Sequence, residues 1–354
     1  MKKLNSILNF KNKTKFKMST NKRSFNEMSE QKKVVHKRRT KLKLTLENAP
    51  LVKSIKDLIE LGRSIKFYKN IDMSMLWNII PYLEKLDEMV GMESLKETIF
   101  YQVIYYLQGM HVYNKEYLHT VIYGPPGCGK STIGEIIANI YKAMNILSEN
   151  SEFKKAGRDD FVAGYLGQTA IKTKKLLTSC IGHVLFIDEV YSLGPGEKDK
   201  DSFAKEVADV LTGFLSEHKN DFCCIVAGYE EEVNKCFFGM NHGLERRFPW
   251  IHRIESYKHK DLSHIFINMV QKQKWSIAFD EKFLTEAISE NKRQFLNSAG
   301  DVETFLTKCK MMHSKRVFSL GPEHKYILTK EDVNQAFEFL NKIKPKEEYP
   351  SIYV

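Results

Sequence analysis

One segment of nine residues has the composition of a phosphate-binding loop, namely Gly124-Pro125-Pro126-Gly127-Cys128-Gly129-Lys130-Ser131-Thr132. Its glycines let successive backbone N–H groups curl around phosphate oxygens without a clash from a Cβ atom. The lysine carries a positive charge to the β- and γ-phosphates, and the hydroxyl of Ser131 is a ligand for Mg²⁺. An apolar run precedes the segment and a helical pattern follows it, so the segment predicts binding of ATP with Mg²⁺.

A pair of carboxylates follows 58 residues after Lys130, at the end of His183-Val184-Leu185-Phe186-Ile187-Asp188-Glu189. The uninterrupted apolar run predicts a parallel strand that is buried on both faces, and such sheets bind ligands at the C-terminal ends of their strands. We interpret Asp188 as holding Mg²⁺ through a water molecule. We interpret Glu189 as the general base that polarises the attacking water. Together the two motifs predict an enzyme that hydrolyses ATP.

The elements that must position these motifs alternate between strand and helix. Short apolar runs predict strands at Thr120–Tyr123, Val184–Ile187, Phe222–Ala227 and Trp250–Ile254. Helical segments separate them, and further helical spacing precedes them at Leu51–Leu61 and Glu93–Leu107. Alternating strands and helices predict an α/β fold with a parallel sheet flanked by helices.

The strand pattern fades after about Tyr257, which predicts a small all-helical domain at the C-terminal side. Asp280 and Thr329 are expected N-caps there, the second with Asp332 at the capping-box position. The predicted organisation is a disordered basic tail at 1–45, a helical segment at 46–80, an α/β nucleotide-binding core at 81–257, a helical lid at 258–345 and a C-terminal tail at 346–354.

The net charge of +11 is concentrated at one end of the chain. Residues 1–43 contain 15 lysines and arginines against Glu27 and Glu30, a net of +13, which leaves −2 for the remainder. A disordered segment of this composition is a nuclear-import signal, a sequence-independent contact for nucleic acid, or a solvated tail without a partner. The nearly neutral core argues against a channel for a nucleic-acid strand.

No apolar stretch reaches the roughly 18 residues that span a bilayer, and the start of the chain lacks the pattern of a secretory signal. The six cysteines form no CxxC pair, as expected of free thiols in a reducing compartment. We therefore expect an intracellular protein, cytoplasmic or nuclear, with no membrane partner. Cys128 either makes the loop sensitive to oxidation or is a small side chain at a permissive position.

The phosphate loop combined with Phe186-Ile187-Asp188-Glu189 resembles AAA+ ATPases. More narrowly, three stretches resemble the subfamily of the rubisco activase CbbX and the stage V sporulation protein K, at 185–193, 225–229 and 243–249. The resemblance covers residues 82–310. It implies a P-loop NTPase core with a helical lid, and a homo-oligomeric ring, typically a hexamer, with ATP between subunits. The stretch 86–92 is similar to the family segment that packs on adenine, which assigns Val90 and Gly91 to the nucleotide.

The same resemblance implies roles for residues beyond the two motifs. An arginine of the neighbouring subunit stabilises charge on the transferring phosphoryl group, with Arg247 as first candidate and Arg246 as second. Tyr229 stands where most of these proteins have a sensor asparagine. The stretch 158–170 is similar to the loop that lines the central pore, and its Tyr165-Leu166-Gly167 would grip a substrate polypeptide. The alternative for Tyr165 is burial in the core.

One departure from the subfamily concerns the lid. The aligned stretch 298–304 lacks both of its usual arginines, and Lys308 or Lys310 is a candidate to replace them. The leading functional hypothesis is a ring that uses ATP hydrolysis to remodel a protein substrate through its pore. The alternatives are an AAA+ ATPase that the basic tail tethers to nucleic acid, and a nucleotide-gated scaffold with little turnover.

Overall fold

The computed structural model describes residues 52–64, 71–112, 116–165, 167–195, 202–219, 221–296 and 299–343. The predicted basic tail, the C-terminal tail and Leu166 lie outside these residues. All described residues belong to one compact unit of the chain. Among the helices of the described ranges, none is long and apolar enough to cross a membrane.

Three helices precede the sheet: α1 (Ile55–Arg63), α2 (Met73–Asp87) and α3 (Glu93–Leu107). Helix α1 begins later than the apolar spacing predicts because Ser54 caps it. The Ser54 hydroxyl accepts a hydrogen bond from the Asp57 N–H at 3.3 Å, and the Asp57 carboxylate accepts one from the Ser54 N–H at 3.0 Å. The apolar faces of the three helices pack in the same cluster as one face of the sheet.

The central sheet has five parallel strands in the order β2-β3-β4-β1-β5. They are β1 (Thr120–Tyr123), β2 (Phe153–Ala156), β3 (Val184–Ile187), β4 (Cys223–Gly228) and β5 (Trp250–Arg253). The helices between them are α4 (Lys130–Ala143), α5 (Arg158–Phe161), α6 (Thr169–Ser179), α7 (Ser202–Glu217) and α8 (Glu230–Glu232). The predicted parallel α/β sheet is confirmed. Because the strands are parallel, their C-terminal ends meet at one edge, where the phosphate loop lies.

The two faces of the sheet are both buried, which explains the continuous apolar runs. Successive strand residues point to opposite faces, so Ile122 packs with α1 to α4, whereas Val121 packs with α6 and α7. In the same way Phe186 and Leu185 of β3 belong to different clusters. Helices on both sides therefore hold the edge that carries the two motifs.

The lid consists of α9 (His259–Lys272), α10 (Glu281–Glu290), α11 (Ala299–Val317) and α12 (Lys330–Ile343) around its own apolar cluster. It also contains two short parallel strands, β6 (Ser276–Ile277) and β7 (Ile327–Leu328), which a sequence pattern of two residues cannot indicate. The predicted cap at Asp280 is confirmed, since its side chain accepts a hydrogen bond from the Phe283 N–H at 3.2 Å. At Thr329 one half of the predicted capping box is present: Asp332 accepts hydrogen bonds from the Thr329 N–H at 2.8 Å and from its hydroxyl at 3.1 Å.

Candidate active site

The phosphate loop connects the end of β1 to the start of α4. The Gly124 N–H donates to the carbonyl of Gly228 at 3.2 Å, which fixes the start of the loop to the end of β4. Gly127 and Gly129 have φ angles of 66° and 94°, a conformation that residues with a Cβ atom rarely adopt. The loop then enters α4 at Lys130, so the positive end of the helix dipole faces the loop.

The ammonium group of Lys130 lies within the loop itself. Its Nζ donates to the carbonyls of Gly124 at 3.0 Å and of Pro125 at 2.8 Å. It also lies 5.4 Å from the centroid of the Tyr229 ring, which in turn contacts the Tyr191 ring at 5.8 Å. The structure thus brings Lys130 together with the tyrosine at the predicted sensor position, in a cation–π geometry.

Ser131 and Asp188 come together although they begin α4 and follow β3 respectively. The Ser131 hydroxyl donates to Oδ2 of Asp188 at 3.0 Å, and Oδ1 of Asp188 accepts from the Glu189 N–H at 3.0 Å. Hydroxyl and carboxylate oxygens are the ligands that Mg²⁺ prefers, with water and phosphate completing its octahedron. No group of three or more His, Cys, Asp or Glu within the described ranges could hold a metal ion. The Ser131 hydroxyl and the Asp188 carboxylate are thus two neighbouring oxygen groups of the kind that Mg²⁺ takes as ligands.

The Glu189 backbone has φ +47° and ψ 47°, in the left-handed region. A short 3₁₀ segment, Val190–Leu193, follows directly, and the Ser192 N–H donates to the Glu189 carbonyl at 2.8 Å. A sharp turn thus follows β3 and leaves the Glu189 side chain exposed at the sheet edge beside Asp188.

A cavity of about 510 Å³ lies between the segment before the sheet, the phosphate loop and the lid. This volume is in the range of small-molecule sites. The predicted residues Val90, Gly127, Cys128, Gly129 and Thr132 line it, together with Tyr82, Met89, Ile136, Asn139, Tyr257, Asn268 and Met269 among others. The cavity thus lies next to the phosphate loop, and its lining combines apolar with polar side chains.

Gly91 is set back from the cavity lining. Its φ is +67°, and a Cβ atom there would lie 3.5 Å from the Asp261 carboxyl group of α9. The residue that ends the core also contacts the loop, since the Tyr257 hydroxyl donates to the Cys128 carbonyl at 3.2 Å. The Cys128 side chain itself is buried, and burial raises the pKa of its thiol, which favours the protonated form.

The two lysines that the sequence suggested for the lid face other groups. Lys310 donates to Gln273 and lies 4.9 Å from the centroid of the Trp275 ring. Lys308 lies 5.5 Å from the centroid of the Phe339 ring. Neither lines the cavity, whereas Lys272 of α9 and Lys85 of α2 do. The lid cation that lines the cavity, Lys272, thus stands on a helix that the missing motif does not indicate.

The two candidate arginines differ in their surroundings. Arg247 is half-buried, and its Nε donates to the Ser216 hydroxyl at 2.7 Å while its Nη1 donates to the Gly243 carbonyl. Arg246 is exposed. Both lie on a short 3₁₀ turn, Glu245–Arg247, before β5. Their contact with a neighbour's nucleotide stays a prediction.

The segment 162–168, here called the tyrosine loop, joins α5 to α6. Phe161 before it is fully buried, whereas the Tyr165 side chain is 74% exposed, so the alternative of a core tyrosine is wrong. Gly167 has φ +82°. Its N–H and the Ala170 N–H donate to the two carboxylate oxygens of Glu206, each at 3.1 Å.

Two residues that hold segments around the site in position were not recognised from the sequence. Glu206 of α7 bonds to the tyrosine loop, and Arg158 of α5 bonds to the turn after β3. The Arg158 Nη1 donates to the Ser192 carbonyl at 2.5 Å and to the Gly194 carbonyl at 3.4 Å, in the turn that follows Glu189. In both cases the side chain bonds to backbone groups of a segment far away in the chain. Such contacts leave no signal in a single sequence.

Comparison with known proteins places the chain in a family. Residues 120–236 match the model of the AAA family, the ATPases associated with various cellular activities. A putative cfxQ-like, that is CbbX-like, protein of Acanthamoeba polyphaga mimivirus is 39% identical over 75% of this chain and 66% of its own length. Stage V sporulation protein K of Bacillus subtilis is 35% identical over 56% of this chain and 63% of its own length. The chain thus spans somewhat less than two thirds of these relatives.

Solved structures agree on the fold. The AAA domain of FIGL-1 in complex with ADP superposes with a TM-score of 0.53 at 16% identity, over 84% of this chain and 92% of that domain. The motifs at the strand ends, the parallel sheet with its lid and the sequence matches all lead to the same assignment. The chain belongs to the AAA family of ATPases and is of the CbbX and stage V sporulation protein K type within it.

Proposed function

We propose that this protein hydrolyses ATP in an oligomeric ring, most simply a hexamer, and uses the reaction to remodel a protein substrate through a central pore. The observation that carries the proposal is the juxtaposition of Lys130, Ser131, Asp188 and Glu189 at one sheet edge, beside a cavity of suitable size. The exposed Tyr165 supplies the second half of the proposal, a surface for the substrate.

The chain's own residues account for binding and for activation of water. The N–H groups of the phosphate loop and the start of α4 bind the phosphates, and Lys130 exchanges its two carbonyl partners for phosphate oxygens. Ser131 and Asp188 would hold Mg²⁺, which neutralises developing phosphate charge when it is bound. Glu189 accepts a proton from the water that attacks the γ-phosphorus. Tyr229, next to Lys130, orients the γ-phosphate.

Completion of the site by a second subunit is part of the proposal. Arg246 or Arg247 of a neighbouring copy stabilises charge on the transferring phosphoryl group, an effect on the order of 10³–10⁵ in rate where it has been measured in other phosphoryl-transfer enzymes. Six tyrosine loops around a pore would then contact an extended polypeptide through their aromatic rings. An aromatic side chain suits such a role because it binds apolar surface without a fixed sequence.

A second candidate function rests on the charge of residues 1–43. A net of +13 is sufficient for contact with nucleic-acid phosphates, so the tail would tether the ATPase to DNA or RNA. This candidate differs from the first in its substrate and shares the same nucleotide chemistry.

Three variants test the proposed function. Lys130→Ala should lose ATP binding, whereas Glu189→Gln should keep it and lower turnover on the order of 10²–10⁴-fold. Glu231→Gln, an exposed carboxylate on the same side of the sheet edge, is the matched control and should hydrolyse ATP normally. Sedimentation with and without ATP measures assembly. A Glu189→Gln protein with wild-type turnover would show that the base is assigned wrongly, and a monomer under all nucleotide conditions would exclude the ring.

A further inference from the structure

Two tyrosines from different strand ends contact each other beside the phosphate loop. Tyr191 lies in the 3₁₀ turn after β3, and Tyr229 follows β4 directly. Their ring centroids are 5.8 Å apart, with an angle of 33° between the ring planes. The Tyr229 ring also lies 5.4 Å from Nζ of Lys130. The three side chains thus form a continuous series of contacts, in which the proposed function assigns a role to Lys130 and Tyr229 and leaves Tyr191 without one.

The backbone around Tyr191 is held firmly on both sides. Val190 and Leu193 are fully buried in the apolar cluster on the α6 and α7 face of the sheet. The Ser192 carbonyl accepts the 2.5 Å hydrogen bond from Arg158. Close-packed and hydrogen-bonded neighbours leave little freedom to the residue between them. Tyr191 is therefore a rigid support for any side chain that packs on its ring.

The end of β4 has a shape that admits the Tyr191 ring. A Cβ atom at Gly228 would lie 3.0 Å from Cδ1 of Tyr191 and 2.7 Å from Cγ2 of Val233. Contacts of this length require a neighbour to move, so glycine is the residue that allows the ring to approach the backbone. The Tyr191 ring thus packs against the residue that precedes Tyr229 as well as against the Tyr229 ring itself.

The Tyr229 side chain has the chemistry to contact a phosphate. Partial burial and the negative charge of Glu189 raise the pKa of its hydroxyl, which therefore keeps its proton near neutral pH. A protonated phenol donates a hydrogen bond to a phosphate oxygen. The ring is half-buried, so its position depends on the neighbours that hold it, among which Tyr191 is the aromatic one.

We infer that Tyr191 is a positioning residue for Tyr229, and that it thereby makes the site discriminate ATP from ADP. The inference rests on the proposed function, in which Lys130 and Tyr229 meet the γ-phosphate. A side chain that is already held in place loses less conformational entropy when its ligand binds. ADP lacks the γ-phosphate, so its affinity does not depend on where the Tyr229 ring is held. Tyr191 therefore strengthens the binding of ATP alone.

Calorimetric titration of the full chain with ATPγS and with ADP, each with Mg²⁺, measures the discrimination as a ratio of two dissociation constants. Tyr191→Leu removes the ring and keeps an apolar side chain, so ATPγS should bind about 3- to 10-fold more weakly. The dissociation constant of ADP should stay as in wild type. Tyr191→Phe keeps the ring and should restore the wild-type ratio. Tyr191→Met is a second variant without a ring, in case leucine lowers the melting temperature.

A double-mutant cycle tests whether Tyr191 acts through Tyr229. Tyr229→Leu should itself weaken the binding of ATPγS, and the addition of Tyr191→Leu should then have no further effect. A further loss in the double variant would overturn the inference, because Tyr191 would then act by itself. Tyr191→Phe with the low ratio of Tyr191→Leu would overturn it as well, since the hydroxyl and not the ring would be responsible.

Two other results would also contradict the inference. One is an unchanged ratio in a folded Tyr191→Leu or Tyr191→Met protein, and the other is an equal loss of affinity for both nucleotides. Failure of the proposed function would appear in different measurements, as wild-type turnover of Glu189→Gln or as normal polypeptide remodelling by Tyr165→Ala. Neither of these would alter the ratio of the two dissociation constants.

Discussion

The Ser131 hydroxyl donates a 3.0 Å hydrogen bond to Oδ2 of Asp188, across two elements that are 57 residues apart in the chain. The contact is possible because α4 begins and β3 ends at the same edge of the parallel sheet. In the proposed function both oxygens serve one Mg²⁺ ion, one of them through water.

Replacing either side chain should therefore weaken the binding of Mg²⁺ more than the binding of ATP. We expect Ser131→Ala and Asp188→Asn to raise the Mg²⁺ concentration that supports half-maximal hydrolysis by on the order of 10- to 100-fold. Ser131→Thr keeps the hydroxyl and serves as the control. The measurement is hydrolysis rate against free Mg²⁺ at saturating ATP. An unchanged Mg²⁺ requirement in both variants would assign the ion to other ligands.

The arginine pair should act between subunits. Arg247→Ala mixed with Lys130→Ala should partly restore hydrolysis, since some interfaces then combine an intact phosphate loop with an intact arginine. The same mixture with Arg246→Ala decides between the two candidates, because Arg246 is exposed while Arg247 is bonded within its own chain. No recovery in rings shown to be mixed would argue that the arginines act in cis.

Tyr165 and Phe161 are four residues apart, and truncation should change the stability of the fold little at Tyr165 and strongly at Phe161. Tyr165→Ala removes an exposed ring, so the free energy of unfolding should change by less than about 0.5 kcal/mol. Phe161→Ala empties a fully buried position and should cost about 3–5 kcal/mol. Thermal melting measures both. Remodelling assays on Tyr165→Ala should show loss of substrate processing with basal hydrolysis retained, and normal processing would remove the loop from the mechanism.

The lid should be sensitive to acid through Asp332. Burial alone would raise the pKa of this carboxyl group, but hydrogen bonds from Arg316, the Thr329 N–H and His313 outweigh it and hold the pKa below its ordinary 3.8. A group whose folded pKa is lowered stabilises the fold at pH values above its unfolded pKa. That contribution is lost as pH falls through the folded value.

We therefore expect Asp332→Asn to destabilise the lid by about 3 kcal/mol near neutral pH, because Arg316 then lacks its buried partner. The difference from wild type should shrink as the pH falls below 3.8. Glu338→Gln, on the exposed side of the same helix, is the control. Chemical unfolding followed at several pH values measures the effect. A difference that does not depend on pH would mean that packing, and not ionisation, is responsible.

Deletion of residues 1–43 tests the second candidate function. With a net of +13, the segment should retain DNA or RNA without sequence preference, and the retention should fall steeply with salt. The deletion should abolish retention and leave basal ATP hydrolysis intact. Sequence-selective binding that survives the deletion would move the nucleic-acid site into the folded part of the chain.

Sequence patterns were sufficient to predict the position of strands that are buried on both faces. Strands β1 and β3 begin and end where the apolar runs predict, because strands between two helical layers are almost entirely apolar. Strand β2 was missed. It lies at the edge of the sheet, and its Lys154 and Lys155 interrupt the apolar pattern.

The residues that hold the candidate site in position could be predicted less well than the residues that react. Lys130, Asp188 and Glu189 stand in motifs whose spacing indicates their chemistry. Glu206 and Arg158 bond to backbone groups of distant segments, so they emerge only after folding. Similarly, the cations at the cavity belong to α2 and α9, not to the lid stretch in which the missing arginines were expected.

The left-handed backbone of Glu189 has a consequence for attempts to engineer this protein. A residue with a Cβ atom costs roughly 1–2 kcal/mol in that conformation, whereas glycine adopts it freely and asparagine more readily than glutamate. Selection for thermal stability alone would therefore favour glycine or asparagine at position 189, and either would remove the carboxylate that we propose as the general base. Stability and turnover are thus in direct conflict at this position, so libraries designed for heat resistance should leave residue 189 unchanged.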